Sequence, residues 1–412
     1  MALIVQKFGG ASVADLDKMR RCASRTRSAR DAGDDVLVVV SAMGAATDRL
    51  LDLARSANPH TPRRDLDMLL STGEQASAAL LSMTLQAMGR PAVAFTGQQI
   101  GLSTDDAHTR ARIASIDTGR IRAHLARGRV VVVAGFQGVT REGAITTLGR
   151  GGSDLTAVAL AAALGADACE IFTDVDGVFT ADTRVVAHAR KLDRLSYDQM
   201  LEFASLGARV LCPRAVLCAK TFHVPIHVRH SHRPQTGTLI VPETPEMEQI
   251  VVSGAALKPD LGRVSLIDAP NAPSACAALC EELSHADIFV DDIIQTELTA
   301  GAATVAVTVD RADLDAAGDA ARRVARALGG GSVRVDVGLA KVSVVGEGMR
   351  THTGVAATMF GALGAHGVKI RNVTTSEIKI SCIVDEADAD RALRIVHDAF
   401  ELAPTPGAVS AA

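Results

Sequence analysis

The amino-acid sequence predicts an α/β fold: a mostly parallel β-sheet sandwiched between helices, followed by two smaller α+β modules. Short runs rich in Val, Ile and Ala alternate with helical stretches up to about residue 245. These runs are continuously apolar, as is typical of parallel strands that are covered on both faces. Beyond a segment rich in Pro, Glu and Thr, two similar strand–turn–helix–strand passages follow, which indicates an internal duplication.

Strands and helices can be placed in order along the first domain. Predicted strands cover 2–8, 35–43, 91–97, 129–136 and 168–175, and the clearest helices cover 13–32, 64–88 and 154–165. Ligands of such open sheets bind beyond the carboxyl ends of the strands. Functional residues are therefore expected directly after these apolar runs.

The change of pattern sets the expected domain boundaries. Residues 1–245 form the first domain, and the repeated modules occupy 250–337 and 338–404. The leading strand of the first module, 250–257, is expected to join the second module. Residues 405–412 are expected to form a disordered tail.

The composition excludes several classes of protein. With a formal net charge of -4 and 3% aromatic residues, the chain lacks the basic field and the stacking side chains of nucleic-acid binding. Seven cysteines without a CxxC pair argue against a disulfide framework or a zinc site. The N-terminus has no apolar signal-peptide core, and no run reaches membrane-spanning length. A cytoplasmic protein without nucleic-acid or membrane partners is expected.

Small residues follow the first two strands. Lys7 precedes Gly9 and Gly10 at a strand-to-helix junction, where backbone N–H groups and an ammonium group can bind phosphate. A glycine turn is also common there for structural reasons alone. The second strand continues into Ser41 and Thr47, whose hydroxyl groups either bind a ligand or cap the next helix.

The string TTLGRGGSD is the most specific motif. It contains, in one stretch, Gly149, Arg150, Gly151, Gly152, Ser153 and Asp154. The glycines let the backbone close on a ligand, and the planar guanidinium group of Arg150 pairs well with a carboxylate. Asp154 starts an apolar helix, where an acidic residue is favoured even without a function.

A further acidic stretch, FTDVDGVFTADTR, ends another buried strand. Asp174, Asp176 and Gly177 have the spacing of a calcium loop, but Val185 stands where that loop requires a glutamate. The stretch is therefore read as a ligand contact or as a solvated turn.

Six strings, in this order and spacing, resemble the aspartate kinase family of the amino acid kinase superfamily: VQKFGGASV, VVVSAMGAATDRL, LLSTGEQAS, VAGFQGV, TTLGRGGSDLTAVALAAAL and TDVDGVFTAD. The C-terminal passages resemble ACT domains, small ferredoxin-like folds that bind amino-acid effectors. The resemblance covers about residues 3–403. It implies an amino-acid-kinase-like sheet and a homodimer or larger homo-oligomer that pairs through the ACT modules.

The resemblance also implies roles for individual residues. Lys7 stabilises charge on the transferring phosphoryl group, and Asp154 orients Lys7. The implied ATP contacts are Lys7, Phe8, Gly9, Gly10, Ser41, Thr173, Asp174, Phe179, Asp182 and Arg184. The implied aspartate contacts are Thr47, Glu74, Arg150, Gly151, Gly152 and Ser153, with Arg150 on the α-carboxylate and Glu74 on the α-ammonium group.

The implied reaction is phosphoryl transfer from ATP to the β-carboxylate of L-aspartate, the first step of aspartate-family amino acid biosynthesis. Mg²⁺ is carried by the nucleotide, so no metal site built from side chains is expected. Lysine, threonine and methionine synthesis or a specialised pathway remain open as destinations of the product. The alternatives are a catalytically silent ACT-bearing amino-acid sensor and a kinase for another substrate, such as glutamate.

The first ACT-like module departs from the family pattern where an effector is expected. Asn271 and Ser274 belong to a turn that usually carries an Asp and a Gly, and Gln295 is followed by Thr296 where Asn is usual. Because a charge is lost, lysine and threonine are expected to inhibit weakly or not at all. The alternative is a site tuned to another effector.

Overall fold

The computed structural model describes residues 2–207, 210–270, 273–297 and 302–404. They form two compact units: unit 1 contains the described residues of Met1–Phe179 and Lys191–Met247, and unit 2 those of Thr180–Arg190 and Glu248–Ala412. The sequence places 180–190 within the expected domain 1–245, whereas in the structure this segment belongs to the C-terminal unit. The expected tail, 405–412, lies outside the described residues.

Unit 1 has the predicted alternation of strands and helices. Its strands are β1 (Leu3–Phe8), β2 (Asp35–Val40), β3 (Ala92–Phe95), β4 (Leu102–Thr104), β5 (Ile113–Ile116), β6 (Val130–Ala134), β7 (Gln137–Val139), β8 (Ile145–Thr147), β9 (Ala168–Thr173), β10 (Arg194–Ser196), β11 (Ile226–His230) and β12 (Thr238–Val241). Its helices are α1 (Leu16–Asp31), α2 (Ala46–Ala57), α3 (Arg63–Ala87), α4 (Gly119–Leu125), α5 (Gly152–Leu164), α6 (Tyr197–Ser205) and α7 (Pro213–Phe222), and α8 (Pro245–Glu248) spans the unit boundary.

The main sheet has the strand order β10-β12-β11-β9-β1-β2-β6-β3. Every pair in it is parallel except β11 with β12, so the predicted mostly parallel sheet is confirmed. A smaller sheet has the order β5-β4-β7-β8.

Helices cover both faces of the main sheet, which explains why its strands are continuously apolar. Val38 and Val40 of β2 pack in one core with residues of α1 and α3. Val39 points the other way, toward Ser153 at the start of α5, because a Cβ added at Gly135 would meet both side chains. The carboxyl ends of β1 and β2 and the start of α5 thus meet at one edge of the sheet.

Unit 2 is an antiparallel sheet with helices. Its elements are β13 (Gly254–Pro270), α9 (Pro273–His285), β14 (Val290–Glu297), β15 (Ala302–Asp310), α10 (Leu314–Ala327), β16 (Ser332–Val345), α11 (Val355–Ala365), β17 (Ile370–Thr375), β18 (Lys379–Asp385) and α12 (Ala389–Ala399). The strand order is β14-β15-β13-β16-β18-β17.

The long strand β13 forms hydrogen bonds with strands in both halves of this sheet. Its later part, from Leu261 to Pro270, pairs with β15, while its start pairs with the end of β16, Gly254 opposite Val345. That end of β16 also pairs with β18. The start of β13 therefore lies beside the second repeat. No helix within the described ranges is both long and apolar enough to span a membrane.

Candidate active site

An ion pair between Lys7 and Asp154 forms the centre of the candidate site. Lys7 stands near the carboxyl end of β1, and Asp154 lies in the first turn of α5. Lys7 Nζ is 2.6 Å from Asp154 Oδ1, and the side chains are only 11% and 10% exposed. The helix N-terminus stabilises the carboxylate, which in turn holds the ammonium group. The structure thus brings the two predicted catalytic residues together.

Glycines make room beside this pair. A Cβ added at Gly9 would lie 3.4 Å from Lys7 Nζ, and one at Gly10 would lie 2.8 Å from the carbonyl oxygen of Ala42. Gly44 N donates to Gly10 O at 3.0 Å, so the loops after β1 and β2 are in direct contact. Ser41 and Thr47, on and after the second loop, are half-buried.

The side chain of Phe8 is not available to a ligand. It is fully buried and its ring stacks on Phe172, with 4.9 Å between ring centroids. Ser41 N donates to Phe8 O at 3.1 Å. The side chain of Phe8 belongs to the core, so the nucleotide contact expected at Phe8 stays a prediction for its backbone.

The loop before α5 depends on its glycines. Gly149 and Gly151 adopt left-handed conformations with φ of 81° and 71°. A Cβ at Gly151 would overlap Cys212, and one at Gly152 would lie 2.8 Å from Phe136 Cδ2. Only glycine fits at position 151, since both its backbone angle and the close contact with Cys212 exclude a side chain.

The side chains of Arg150 and Ser153 differ in their exposure to solvent. Arg150 is exposed and forms no hydrogen bond or ion pair with any residue in the described parts of the chain. Ser153 is 5% exposed at the start of α5. A free guanidinium group beside helix N–H groups is suited to a carboxylate ligand.

Asp67 of α3 binds the residues that flank the loop before α5. The sequence analysis did not identify it as a functional residue. Its fully buried carboxylate accepts from Thr147 Oγ1 at 2.5 Å and from Thr109 N at 3.0 and 3.1 Å, and His108 Nδ1 is 2.7 Å away. A sequence signal existed: Asp67 falls on the buried stripe of α3 that continues through Leu70 and Glu74. A carboxylate on an apolar stripe needs buried partners.

Glu74 is the second buried carboxyl group of α3. It is 3% exposed, and its Oε1 accepts from Ala42 N at 3.0 Å. Its Oε2 is buried without a hydrogen-bond partner among the described residues. Burial raises the pKa of Glu74 to about 7. A cationic ligand group would supply the missing partner.

The predicted nucleotide contacts are divided between the two units. Thr173 and Asp174 follow β9 in unit 1, where Thr173 Oγ1 donates to Asp174 Oδ1 at 3.1 Å, and Phe179 is half-buried. Asp182 and Arg184 belong to unit 2 and pair with each other, with 2.6 Å between Arg184 Nη2 and Asp182 Oδ2.

The predicted effector residues are described only in part. Gln295 is exposed on β14, opposite Val305 of β15. Asn271 and the side chain of Ser274 lie outside the described residues.

Comparison with known protein families identifies the class of protein to which this chain belongs. Residues 2–230 match the amino acid kinase family, and residues 342–400 match the ACT domain. The parallel sheet with its Lys7–Asp154 pair and the antiparallel C-terminal unit thus define an ACT-bearing member of the amino acid kinase family.

Similar proteins and solved structures identify the particular family within this class. An aspartate kinase of Pseudomonas fluorescens is 48% identical over 405 residues, 98% of either chain. An aspartokinase of Geobacillus stearothermophilus is 47% identical over 409 residues, 99% of this chain and 100% of that protein. The crystal structure of E. coli aspartokinase III in complex with aspartate and ADP has a TM-score of 0.83 at 29% identity, covering 96% of this chain and 99% of that one. The chain belongs to the aspartate kinase family.

Proposed function

We propose that this chain transfers a phosphoryl group from ATP to the β-carboxylate of L-aspartate, giving 4-phospho-L-aspartate. The buried Lys7–Asp154 pair at the glycine-rich ends of β1 and β2 carries the proposal. The E. coli relative was solved with aspartate and ADP, the acceptor and the nucleotide product of this reaction. Because a carboxylate is already a nucleophile, positioning and charge neutralisation suffice and no general base is needed.

On the phosphate side, Lys7 neutralises the charge of the transferring group, and the backbone at Gly9 and Gly10 approaches the phosphates closely. Asp154 acts on Lys7, because a carboxylate 2.6 Å from Nζ holds the ammonium group in one orientation. Ammonium and N–H donors suit phosphate oxygens and not Mg²⁺. Mg²⁺ carried by the nucleotide would supply further charge neutralisation beside Lys7.

On the amino-acid side, opposite charges meet the two charged groups of the aspartate backbone. The free guanidinium group of Arg150 binds the α-carboxylate in a bidentate manner. Glu74 Oε2 accepts from the α-ammonium group, which gives that buried oxygen its missing partner. Thr47 and Ser153 provide hydroxyl groups beside them.

The proposed nucleoside contacts are those that the family resemblance implies. They are Thr173, Asp174, Phe179, Asp182 and Arg184. Three hydrogen bonds between the Arg184 and Asp182 side chains, together with one from Arg184 N to Asp182 Oδ1, orient these two side chains.

An initial-rate assay separates this function from its alternatives. With ATP, L-aspartate and added hydroxylamine, the aspartyl phosphate is expected to react to aspartyl hydroxamate with release of phosphate, and L-glutamate is expected to give no product. Product from glutamate would indicate another amino acid kinase. Absence of product with either acid, in protein that binds ATP, would indicate a catalytically silent sensor.

We also propose that 250–337 and 338–404 are ACT modules that bind an amino acid and pair two or more copies of the chain. A second structure of the E. coli relative contains lysine together with aspartate. In this chain the sequence from Asn271 to Ser274 lacks the acidic residue usual in the family. One lost charge-assisted hydrogen bond weakens effector binding by roughly one to two orders of magnitude.

Lysine and threonine are therefore expected to inhibit weakly or not at all. Initial rates at subsaturating aspartate, with each amino acid alone and with both together, measure this. Strong inhibition below millimolar concentrations would show that Asn271 and Ser274 suffice for binding.

A further inference from the structure

Three side chains with metal-binding atoms meet in unit 2. His188 lies in the segment 180–190, and His397 and Asp398 lie in the last turn of α12. His188 Nε2 is 3.2 Å from Asp398 Oδ1, and His397 Nδ1 is 3.7 Å from the same oxygen. The two imidazole rings are 5.3 Å apart between centroids, at 77°. Phosphoryl transfer uses none of these residues.

The hydrogen bonds of Thr180 assign the tautomer of His397. Thr180 Oγ1 accepts from Arg190 N at 2.9 Å and donates to Leu402 O at 3.1 Å. Its remaining lone pair faces His397 Nε2 at 3.1 Å, so Nε2 must carry the proton and donate it. Nδ1 of the neutral ring then has a bare lone pair.

That lone pair has nothing to bind in the described parts of the protein. His397 is fully buried, and its Nδ1 has no hydrogen-bond partner among the described residues. The carboxylate oxygen 3.7 Å away is beyond hydrogen-bond distance and is itself an acceptor. A cation placed between these two electron pairs would satisfy both of them.

We propose that His188 Nε2, His397 Nδ1 and Asp398 Oδ1 bind a Zn²⁺ ion, with water as the fourth ligand. At zinc–nitrogen distances of about 2.0–2.1 Å, neighbouring ligands of a tetrahedron are about 3.3 Å apart. The separations of 3.2 and 3.7 Å bracket this value, and all three ligand atoms lie within 4.8 Å of one another. Thr180 serves as the outer-shell acceptor that orients the buried imidazole.

The ligand types and the neighbouring charges determine which kind of metal ion the site favours. Two imidazoles favour Zn²⁺ and similar transition metals over Mg²⁺ or Ca²⁺, which prefer oxygen. The guanidinium group of Arg190 is close enough to His397 to oppose purely electrostatic binding of a cation. The C-terminal end of α12 favours a positive charge.

An ion at this site would fasten the segment 180–190 to α12. The same segment carries Asp182 and Arg184, so the metal would also order two side chains that, on the proposed function, contact the nucleotide. Metal binding itself does not depend on that function and can be measured without it.

The test is metal binding by the full-length chain in a Cys276→Ser, Cys280→Ser background, because these two thiols lie one turn apart on α9 and compete for zinc. Calorimetry with Zn²⁺ and absorption spectroscopy with Co²⁺ are expected to show one ion per chain and the d–d bands of four-coordinate cobalt. His188→Ala and Asp398→Ala should each weaken binding by about tenfold or more. Both side chains are more than half exposed, 54% and 64%, so these variants should fold.

His366→Ala is the matched control, because it removes an exposed histidine of unit 2 whose Nδ1 already bonds Ala362 O. It should leave zinc affinity unchanged. As an independent readout, Zn²⁺ should slow amide hydrogen exchange in 180–190 of the parent protein and not of His188→Ala. Equal affinity in the parent and in His188→Ala, or no cobalt bands at saturation, would overturn the site.

Discussion

The buried carboxyl group of Glu74 should make aspartate binding depend on pH. Its Oε1 accepts from Ala42 N, and its Oε2 has no partner among the described residues. Burial raises its pKa to about 7. In the free enzyme the group is therefore neutral below this pH and ionised above it. Only the ionised form offers an ion pair to the α-ammonium group of aspartate.

The size of the effect follows from the ionised fraction, since apparent affinity scales with the population of the competent form. That fraction is about one tenth at one pH unit below the pKa and about nine tenths at one unit above. The KM for aspartate should consequently fall roughly tenfold between pH 6 and pH 8. Free aspartate keeps its own charges throughout this interval, so the change reports on the protein.

The assay is initial rate against aspartate concentration at saturating ATP, repeated for Glu74→Gln. The amide retains the shape of the side chain and can still accept from Ala42 N, but it does not ionise. Its KM should be about ten- to a hundredfold above that of the parent at pH 8, for loss of one charge-assisted hydrogen bond, and should not change with pH.

Glu142→Gln provides the control, because it removes the same charge from an exposed turn of unit 1. It should keep the parental pH profile. A parental KM that is flat from pH 6 to pH 8, or a slope that survives in Glu74→Gln, would refute the assignment of Glu74 to the ammonium group.

Other substitutions test the remaining contacts. Lys7→Ala and Asp154→Asn should each lower kcat by about a hundredfold or more with circular dichroism unchanged, and near-normal turnover would remove the pair from the mechanism. Arg150→Lys should raise the KM for aspartate far more than that for ATP, because an ammonium group cannot form two parallel bonds to a carboxylate; equal increases would move Arg150 to the phosphates. Gly151→Ala, which meets Cys212, should lower the melting temperature more than Gly143→Ala. The control shares a positive φ of 88° but has no neighbour within 4 Å, so it bears only about 1–2 kcal/mol of strain; equal losses would contradict the packing argument.

The sheet of unit 1 could be predicted because its physical cause is local. Strands buried on both faces must be apolar at every position, and the runs at 35–43 and 129–136 show this directly. Residues 180–190 could not be assigned in the same way. Whether such a segment joins one unit or the other depends on contacts such as Thr180 with His397, which join positions 217 apart.

Residues of the candidate site could be predicted from the sequence where the backbone geometry requires one residue type. Gly151 must be glycine, and that requirement is visible as a motif. Glu74 is different: its position came from the family resemblance, while its orphan oxygen and raised pKa arise from its burial in the folded chain. Asp67 had no motif at all, although its place on the buried stripe of α3 was readable from the helical period.

The proposed metal ligands mark the limit of sequence reasoning. His188 and Asp398 are 210 positions apart, with exposed side chains of types common on any protein surface. The informative residue is His397, whose burial at the end of α12 is needed before its Nδ1 can be recognised as unpaired. An amphipathic helix predicts that a histidine on its apolar face is buried. Which ring nitrogen is then left without a proton depends on Thr180, whose hydroxyl group is already committed to Arg190 and Leu402. The metal-binding atom is thus selected by a hydrogen-bond network that exists only in the folded chain.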